Sequence, residues 1–244
     1  MSDRHDAWEQ LRGPAKRADL LLTCEHASLR LPAPWSWPAE DQWLIDTHWS
    51  HDIGAAELTR ELADSLACDA ILSRFTRLLV DPNRAREQDG LFRTEAEGRA
   101  IELNGNLSAE EQELRLRGYY QAYHDAISAR IQEAQPTCLV SVHSFTPVYQ
   151  QQQRTMEVGV LFDHDRELAE RVGNHLAGAY KVTYNEPYTA VNGTYAFSAW
   201  HHGGVHKIPW IELEVRQDIC GDPTARARLV PRLAAALQFG FGLE

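Results

Sequence analysis

Two hydrophobic patterns alternate along the whole chain, and this alternation is the feature that most constrains its fold. Short apolar runs such as ADLLLTC at residues 18–24 are typical of strands that are buried on both faces. Between them lie longer segments with apolar residues at helical spacing, such as Leu58, Leu62 and Leu66. The sequence therefore predicts an α/β protein with three layers: a mostly parallel, mixed central sheet with helices on both faces.

Further elements follow from the same patterns. A helix is predicted to begin near Ser50, and another at Ser108, where Ser108-x-x-Glu111 fits a capping box. A third helix is predicted at residues 165–180, and a fourth after Asp222-Pro223, with Pro231 expected to kink or split it. Further strands are predicted at residues 70–73, 76–80, 138–142, 156–162 and 210–215, and loops at 84–107 and 185–204. Because no repeat or linker interrupts this series, residues 1–244 are predicted to form a single domain.

Composition excludes several classes of partner. A formal net charge of −11 argues against nucleic acid, whose phosphates are bound by clustered Lys and Arg. No window approaches the roughly 18 apolar residues that a membrane span needs. The first residues are polar and lack the apolar stretch of a secretory signal, so a cytoplasmic protein is predicted. The four cysteines are isolated from one another and are expected to be reduced core residues.

Polar residues with catalytic potential stand where the predicted strands end. In open α/β sheets, ligands bind outside the carboxyl ends of the strands. Histidines and carboxylates that meet there are the ligand types of a catalytic zinc site, which keeps three protein ligands and leaves a place for water. These strand ends carry Glu25-His26, Asp81 with Asn83-Arg84, His143-Ser144, and the pair Glu212 and Glu214.

The local pattern leaves ordinary interpretations open for each of these residues. His26 and His143 directly follow apolar runs, but any of the 11 histidines can be a surface or hydrogen-bonded residue. The cluster D-x-H-x-x-H-D at residues 46–52 is equally compatible with a solvated helix start and with a third metal ligand. Neither an HExxH nor a CxxC motif is present, so the spacing alone is weak support for zinc.

Two further pairs of residues belong to the candidate site. Strand alternation places Glu212 and Glu214 on one face, where repulsion and burial would raise their proton affinity and suit a general base. The same pattern is compatible with a face that is only solvated. Asn83-Arg84 is the candidate substrate clamp, because a guanidinium binds a carboxylate with two parallel hydrogen bonds. An ordinary surface arginine is the alternative.

Several segments, taken together and in order, resemble the N-formylglutamate amidohydrolase (N-formylglutamate deformylase) family. No single segment is specific, but the ordered set spans nearly the whole chain. The segments are EHASLRLP at 25–32, the cluster at 46–54, VDPNR at 80–84, SVHSFTP at 141–147, YNEPY and NGTY between 184 and 195, and IELEVRQDI at 211–219.

The resemblance implies a fold similar to zinc carboxypeptidases and one Zn²⁺ per chain, which activates a water to hydrolyse the amide of an N-acyl amino acid. By position, His26 and His143 match metal ligands and Glu214 matches the general base. Leu29 stands where related carboxypeptidases have a glutamate ligand, so the third ligand is expected to be Asp46 or Glu25, with Asp46 preferred. His202, or its neighbour His201, is the candidate for oxyanion stabilisation. The implied substrate-binding residues are Asn83, Arg84, Ser144, Asn185, Tyr188, Thr194 and Glu212.

One departure from the family bears on the substrate. Glu212 stands where many members have glutamine, and a carboxylate beside the substrate would repel an acidic side chain unless it were paired. The expected substrate is therefore N-formylglutamate or another small N-acyl amino acid. The alternatives are a metal carboxypeptidase that acts on short peptides, and a non-catalytic small-molecule binding protein on the same scaffold.

Overall fold

The computed structural model describes residues 2–13 and 19–243. Within them, eight strands form one mixed sheet in the order β1-β2-β4-β3-β7-β12-β10-β11. The pairings β3/β4, β3/β7, β7/β12 and β10/β11 are parallel, and the other three are antiparallel. The mixed, mostly parallel sheet predicted from the sequence is confirmed.

The strands are short, and four of them form two small hairpins outside the main sheet, β5 with β6 and β8 with β9. The second hairpin extends from the carboxyl end of β7. The twelve strands are β1 (Ser2–Arg4), β2 (Trp8–Leu11), β3 (Leu20–Cys24), β4 (Asp69–Ser73), β5 (Glu95–Ala96), β6 (Arg99–Ala100), β7 (Cys138–Phe145), β8 (Val148–Tyr149), β9 (Gln152–Gln153), β10 (Val158–Leu161), β11 (Val182–Tyr184) and β12 (Trp210–Arg216).

Helices cover both faces of the sheet. A π-helical turn, Leu116–Gln121, joins α2 to α3, and 3₁₀ turns form at Ala39–Leu44, Glu102–Asn104 and Val191–Gly193. The α-helices are α1 (Ala55–Leu66), α2 (Ala109–Arg115), α3 (Ala122–Ala134), α4 (Arg166–Leu176), α5 (Phe197–His206), α6 (Gln217–Cys220) and α7 (Pro223–Phe241).

Successive residues of each strand point to opposite faces, so the sheet separates two hydrophobic cores. Leu20 and Leu22 of β3 pack in one core with residues of α1, α4 and α7. Leu21 packs in the other core, with Tyr123 and Ile127 of α3. Because both faces of the central strands need apolar residues, the sequences of these strands are continuous apolar runs.

Most predicted elements are present. Ser108 caps α2, its Oγ accepting a hydrogen bond from the Glu111 N–H at 3.1 Å. The α7 helix runs through Pro231 without a break, so the predicted split is wrong. Ala18, where the first strand was predicted to begin, lies outside the described residues.

Three predicted segments differ from the structure for physical reasons. The first long helix begins at Ala55 rather than near Ser50, after Gly54 in a left-handed conformation. Residues 76–80 form a turn instead of a strand, because the carbonyl oxygen of Thr76 accepts the Leu79 N–H at 3.0 Å. The predicted loop 185–204 includes most of α5, which the sequence did not indicate because its glycines and histidines obscure the helical spacing of apolar residues.

The topology brings the carboxyl ends of β3, β4, β7 and β12 to one edge of the sheet, since these neighbours are parallel. The described helices include none that is both long and apolar enough to span a bilayer. The predicted cytoplasmic location stays a prediction. The four cysteines are buried and unpaired, as expected.

The packing of α7 leads to a stability prediction. Leu237 is fully buried in the core shared with α1 and α4, whereas Leu114 of α2 is 48% exposed. Leu237→Ala is expected to lower the free energy of unfolding by about 2–5 kcal/mol, because it leaves a cavity. Leu114→Ala, the matched control, is expected to change it by less than about 0.5 kcal/mol. Urea unfolding followed by circular dichroism measures both, and equal losses would contradict this view of the core.

Candidate active site

His26 and His143 face each other at the carboxyl edge of the sheet. His26 follows the end of β3, and His143 lies within β7, the parallel neighbour of β3. Their rings meet edge to face, with centroids 4.8 Å apart. Both side chains are almost fully buried. The parallel pairing therefore brings together two histidines that are 117 positions apart in the sequence.

Asp52 lies between these two rings. Its Oδ2 is 2.8 Å from Nδ1 of His143 and 3.5 Å from Nδ1 of His26. The backbone fixes it there, since its N–H donates to the His26 carbonyl at 3.0 Å. Gly54, two residues on, has a positive φ of 81° and lies so close to Cys220 that a Cβ would collide with its backbone. The sequence HDIG thus starts α1 with Asp52 directed at the histidines.

His26, Asp52 and His143 form a buried group that can hold a metal ion, with their ligand atoms within 4.8 Å of one another. The donor set fits zinc, which binds two imidazole nitrogens and a carboxylate in known catalytic sites. The buried Nδ1 of His26 has no hydrogen-bond partner among the described atoms. A metal at this position would satisfy that nitrogen.

The far nitrogen of each histidine is held by another carboxylate. His26 Nε2 is 2.7 Å from Oδ1 of Asp81, and His143 Nε2 is 3.0 Å from Oε2 of Glu25. An ionised carboxylate only accepts hydrogen bonds, so both Nε2 atoms donate. Nδ1 of His143 is itself 2.8 Å from the Asp52 carboxylate, so it must lose its proton before its lone pair can bind a metal. Carboxylates in this outer position orient histidine ligands and raise their basicity.

Nearby charges keep two of these carboxylates ionised. Burial opposes ionisation of Asp81, but Arg77 and His26 outweigh it and hold its pKa well below the usual range. Burial likewise opposes ionisation of Glu25, whereas hydrogen bonds from His143 and Ser141 lower its pKa. Arg77 lies between two acids, donating to Oδ2 of Asp81 at 2.7 Å with another nitrogen 3.6 Å from Oδ1 of Asp52.

The structure places neither Asp46 nor Glu25, the two expected third ligands, in the group that can hold a metal. The side chain of Asp46 is 78% exposed and 3.9 Å from His51, away from the two histidines. Glu25 binds the far side of His143 and is directed away from the group that can hold a metal. Asp52 takes the place expected for them, because the helix start after Gly54 directs it inward. Asp46 and Asp52 are the first and last residues of the cluster at 46–52. The sequence prediction preferred the first, whereas the last one lies beside the histidines.

Glu212 and Glu214 project from one face of β12, and Ile211, Leu213 and Val215 pack in the core on the other face. Both glutamates are buried, so the alternative of a solvated face is wrong. Glu214 is opposite His143 in the parallel register. Burial raises the pKa of Glu212 to about 7 and that of Glu214 well above its ordinary value. Oε2 of Glu214 has no hydrogen-bond partner among the described atoms.

A cavity of about 540 Å³ opens over this group. It is within the size range of small-molecule sites. Its wall combines the three ligand candidates and Glu214 with aromatic and basic side chains. The aromatic residues are Trp49, Phe145, Tyr149, Tyr188 and Tyr195, and the arginines are Arg77, Arg84, Arg93 and Arg154.

Some predicted substrate residues line the cavity but use their polar atoms within the protein. The Asn83 amide donates to the Tyr195 carbonyl at 2.8 Å and accepts from the Ser198 N–H at 2.9 Å. Ser144 donates its hydroxyl to the Ile53 carbonyl, and its N–H donates to Asp52. Asn185 forms hydrogen bonds with the backbone of Phe162. These residues position the site rather than present free donors.

Arg84 and Tyr188 are better placed to meet a substrate. Arg84 is buried, lines the cavity and stacks over the Tyr195 ring at 5.1 Å. One of its nitrogens donates to the Asn83 carbonyl, and no described carboxylate lies within 4.0 Å of its guanidinium. Tyr188 lines the cavity, and its hydroxyl accepts from Arg154 at 3.3 Å.

Three other predicted residues do not line the cavity. Thr194 is exposed and donates to the Val191 carbonyl. His202 is buried in α5, with Nε2 2.9 Å from Nδ1 of His124, so it faces α3 rather than a reacting carbonyl. Glu212 lies behind the wall, where its Oε2 accepts from Asn83 at 3.3 Å. Glu212 is therefore not in a position to repel an acidic substrate, in contrast to the expectation from the sequence.

Sequence reasoning did not single out Arg77, Arg93 or Arg154. Arg77 is four positions before Asp81, and it binds that carboxylate because the turn at residues 76–80 folds it back. Arg93 and Arg154 come from segments without periodicity, and nothing in their local sequence indicates a cavity. Asp52 did carry a signal, a carboxylate two residues before a glycine at a helix start.

Comparison with known proteins gives one matching family model and several similar solved structures. The model of the N-formylglutamate amidohydrolase family matches residues 18–220. A solved gene product of Agrobacterium tumefaciens has a TM-score of 0.89 and 28% identity, with 98% of this chain and 96% of that chain covered. An N-formylglutamate amidohydrolase from Ralstonia eutropha has a TM-score of 0.73 and 16% identity, with 98% of both chains covered. No match was found among curated proteins.

The ligand assignment predicts different outcomes for two aspartates. Asp52→Asn is expected to weaken zinc binding by more than the roughly 10- to 100-fold that loss of an outer partner costs. Asp46→Asn, the matched control, is expected to bind zinc as the wild type does, since Asp46 is exposed. Competition with a chromophoric chelator measures the affinity. Zinc loss in Asp46→Asn with retention in Asp52→Asn would reverse the assignment.

The outer carboxylates give a second expectation. Asp81→Asn removes the charge that orients His26, so zinc affinity is expected to fall roughly 10- to 100-fold. Asp64→Asn, on the exposed side of α1, serves as the control. Thermal unfolding of the metal-free proteins is measured in parallel. Unchanged zinc affinity in folded Asp81→Asn would show that this hydrogen bond does not support a metal ligand.

Proposed function

Because the chain belongs to the N-formylglutamate amidohydrolase family, we propose that it hydrolyses the amide bond of a small N-acyl amino acid, N-formylglutamate or a close relative. The observation that carries the proposal is the meeting of His26, Asp52 and His143 with the buried, unpartnered carboxylate of Glu214 at one cavity wall. Hydrolysis of an unactivated amide needs a metal ion, held by such ligands, and a general base at the same wall.

The three ligand candidates would hold one zinc ion. Zinc in such a site supplies Lewis acidity, which polarises a carbonyl and lowers the pKa of a water. Asp81 and Glu25 keep the histidine rings in place with their Nδ1 atoms directed inward. Arg77 holds Asp81 and lies beside Asp52, so the ligands are fixed before a substrate arrives. This arrangement limits the reorganisation that catalysis requires.

Glu214 is the proposed general base. It takes a proton from the attacking water and returns the proton to the leaving amine as the C–N bond breaks. Its burial raises its pKa, and this favours a carboxyl group that accepts and then holds a proton. Tyr188, whose own pKa is raised by burial and by Glu214, covers this side of the cavity and limits the access of water.

Arg84 is proposed to bind the α-carboxylate of the substrate. Its guanidinium is buried at the cavity wall and stacked on Tyr195, which restricts its orientation. A planar guanidinium in a fixed orientation binds a carboxylate through two parallel hydrogen bonds. Asn83 supports this role indirectly, because its amide ties the Arg84 segment to the start of α5.

Replacement of Glu214 tests the mechanism. Glu214→Gln is expected to lower kcat on an N-formyl amino acid by roughly 100- to 10,000-fold, because a general base contributes about that much. The exposed Glu110→Gln serves as the control, and zinc content is measured in both proteins. A variant with full zinc and turnover within a few fold of wild type would contradict the role of Glu214.

A substrate panel tests the reaction class. The zinc-loaded protein is expected to release the amino acid from N-formyl or N-acetyl amino acids, and not the C-terminal residue from short peptides. Faster release from peptides would favour a carboxypeptidase. Stoichiometric zinc and tight ligand binding without any turnover would favour a non-catalytic binding protein.

A further inference from the structure

The cavity over the group that can hold a metal is larger than the smallest N-acyl amino acids require. Its volume is about 540 Å³, and cavities of roughly 300–1,000 Å³ bury drug-sized ligands. A formyl group is the smallest acyl group, and N-formylglutamate is a much smaller molecule than a drug. The cavity therefore has room for a larger substituent on the substrate.

Aromatic side chains from segments distant in sequence meet at this cavity. Two of them, Tyr188 and Tyr195, are neighbours, with ring centroids 5.4 Å apart and planes tilted by 35°. Aromatic rings attract further rings in offset or edge-to-face arrangements, at centroid distances of about 4.5–7 Å. A cavity lined in this way suits an aromatic group of a ligand. The five aromatic residues are Trp49, Phe145, Tyr149, Tyr188 and Tyr195.

Two of these rings are exposed although they are large and apolar. Tyr149 is 41% exposed and Tyr195 is 42% exposed. Neither ring belongs to a hydrophobic core, and neither hydroxyl has a hydrogen-bond partner in the described part of the chain. The fold therefore uses neither ring as core packing or as a polar anchor. Exposed apolar surface that is grouped at a cleft is typical of ligand-binding grooves.

Arginines stack on these rings and restrict their orientation. Arg154 lies over Tyr149 at 4.9 Å and over Tyr188 at 5.3 Å, and Arg84 lies over Tyr195 at 5.1 Å. No described carboxylate lies within 4.0 Å of the Arg154 guanidinium, so its contacts with the rings are not replaced by an ion pair. A planar guanidinium stacks on an aromatic face and leaves the rest of the ring free. The rings are thus held in place before a ligand binds.

The hairpin that carries Tyr149 is anchored to the strand that carries the proposed base. Arg216, at the end of β12, donates to the backbone carbonyls of residues 154–156 at 3.1–3.4 Å. Because β12 also carries Glu214, the position of the Tyr149 ring is tied to that of the base. A ring held in this way can bind a substrate group that lies at a fixed distance from the reacting bond.

We propose that the exposed rings of Tyr149 and Tyr195, together with Tyr188, bind an aromatic group of the substrate, so that this enzyme prefers N-acyl amino acids with an aromatic ring to their counterparts without one. The inference rests on the proposed function, in which Arg84 binds the α-carboxylate. The aromatic ring has two possible sources, the side chain of the amino acid and the acyl group. In either case, binding removes the apolar faces of the two exposed rings from water.

Two matched pairs of compounds separate these sources. N-formylphenylalanine and N-formylcyclohexylalanine differ only in whether the ring of the amino-acid side chain is aromatic. N-phenylacetylalanine and N-cyclohexylacetylalanine differ in the same way at the acyl group, where one carbon separates the ring from the amide. The zinc-loaded wild type is expected to prefer the aromatic member of one pair by roughly 3- to 10-fold in kcat/KM, the range expected for a contact between two aromatic rings.

Replacement of Tyr149 tests whether its ring causes this preference. Tyr149→Leu keeps an apolar side chain without a ring, so the preference is expected to fall below about 2-fold, mainly through a higher KM for the aromatic compound. Tyr149→Phe is expected to retain the preference, because it keeps the ring. Phe239→Leu is the control, since it removes a ring on α7 that is 62% exposed and does not line the cavity. Thermal unfolding verifies that all variants are folded.

The outcomes distinguish this inference from the proposed function. A wild type that hydrolyses the compounds without preference in either pair, or a preference that survives in Tyr149→Leu, would overturn the role of the rings. If no compound is hydrolysed, the proposed function fails, and calorimetric binding of the same four compounds still decides. The aromatic member of one pair then binds the wild type more tightly and loses this advantage in Tyr149→Leu, or the inference is wrong.

Discussion

The carboxylate of Asp52 lies between the Nδ1 atoms of His26 and His143, and the rest of the site is arranged around this contact. Three separate segments must meet for it to form: the end of β3, the start of α1 and the middle of β7. The parallel pairing of β3 with β7 brings the histidines together, and the tight approach of Gly54 to Cys220 sets where α1 begins. The group that can hold a metal therefore depends on how these three segments meet at the edge of the sheet.

Burial of so many charges is costly, and the structure offsets this cost by pairing them. Asp81 interacts with both Arg77 and His26, whereas Glu25 interacts with His143 and Ser141. Each histidine thus has a carboxylate on its outer nitrogen, and Asp52 lies 2.8 Å from the inner nitrogen of His143 and 3.5 Å from that of His26. Glu212 and Glu214 are the exceptions, because one oxygen of each has no hydrogen-bond partner among the described atoms. Of these two, only Glu214 lines the cavity, and it is the one that the proposed reaction uses.

Predictions from the sequence were most accurate where a pattern reflects local physics. Alternation placed Glu212 and Glu214 on one face of β12, and the capping box at Ser108 formed as expected. They were least accurate where a contact is distant in sequence. Asp46 and Asp52 have the same chemistry, and only the direction of the chain at Gly54 decides which one meets the histidines. His202 lies inside a helix that its glycine-rich sequence did not indicate.

The sequence by itself determined the layered α/β fold, the strand ends that carry His26 and His143, and the family resemblance. Hydrophobic periodicity and the residue types at strand ends are local features, so they can be recognised in a single amino-acid sequence. Only the tertiary structure decided that Asp52 completes the group that can hold a metal, that Glu212 lies behind the wall, and that Arg154 faces the cavity without a carboxylate partner. These facts depend on where loops distant in sequence return to the sheet edge, and no local pattern encodes that.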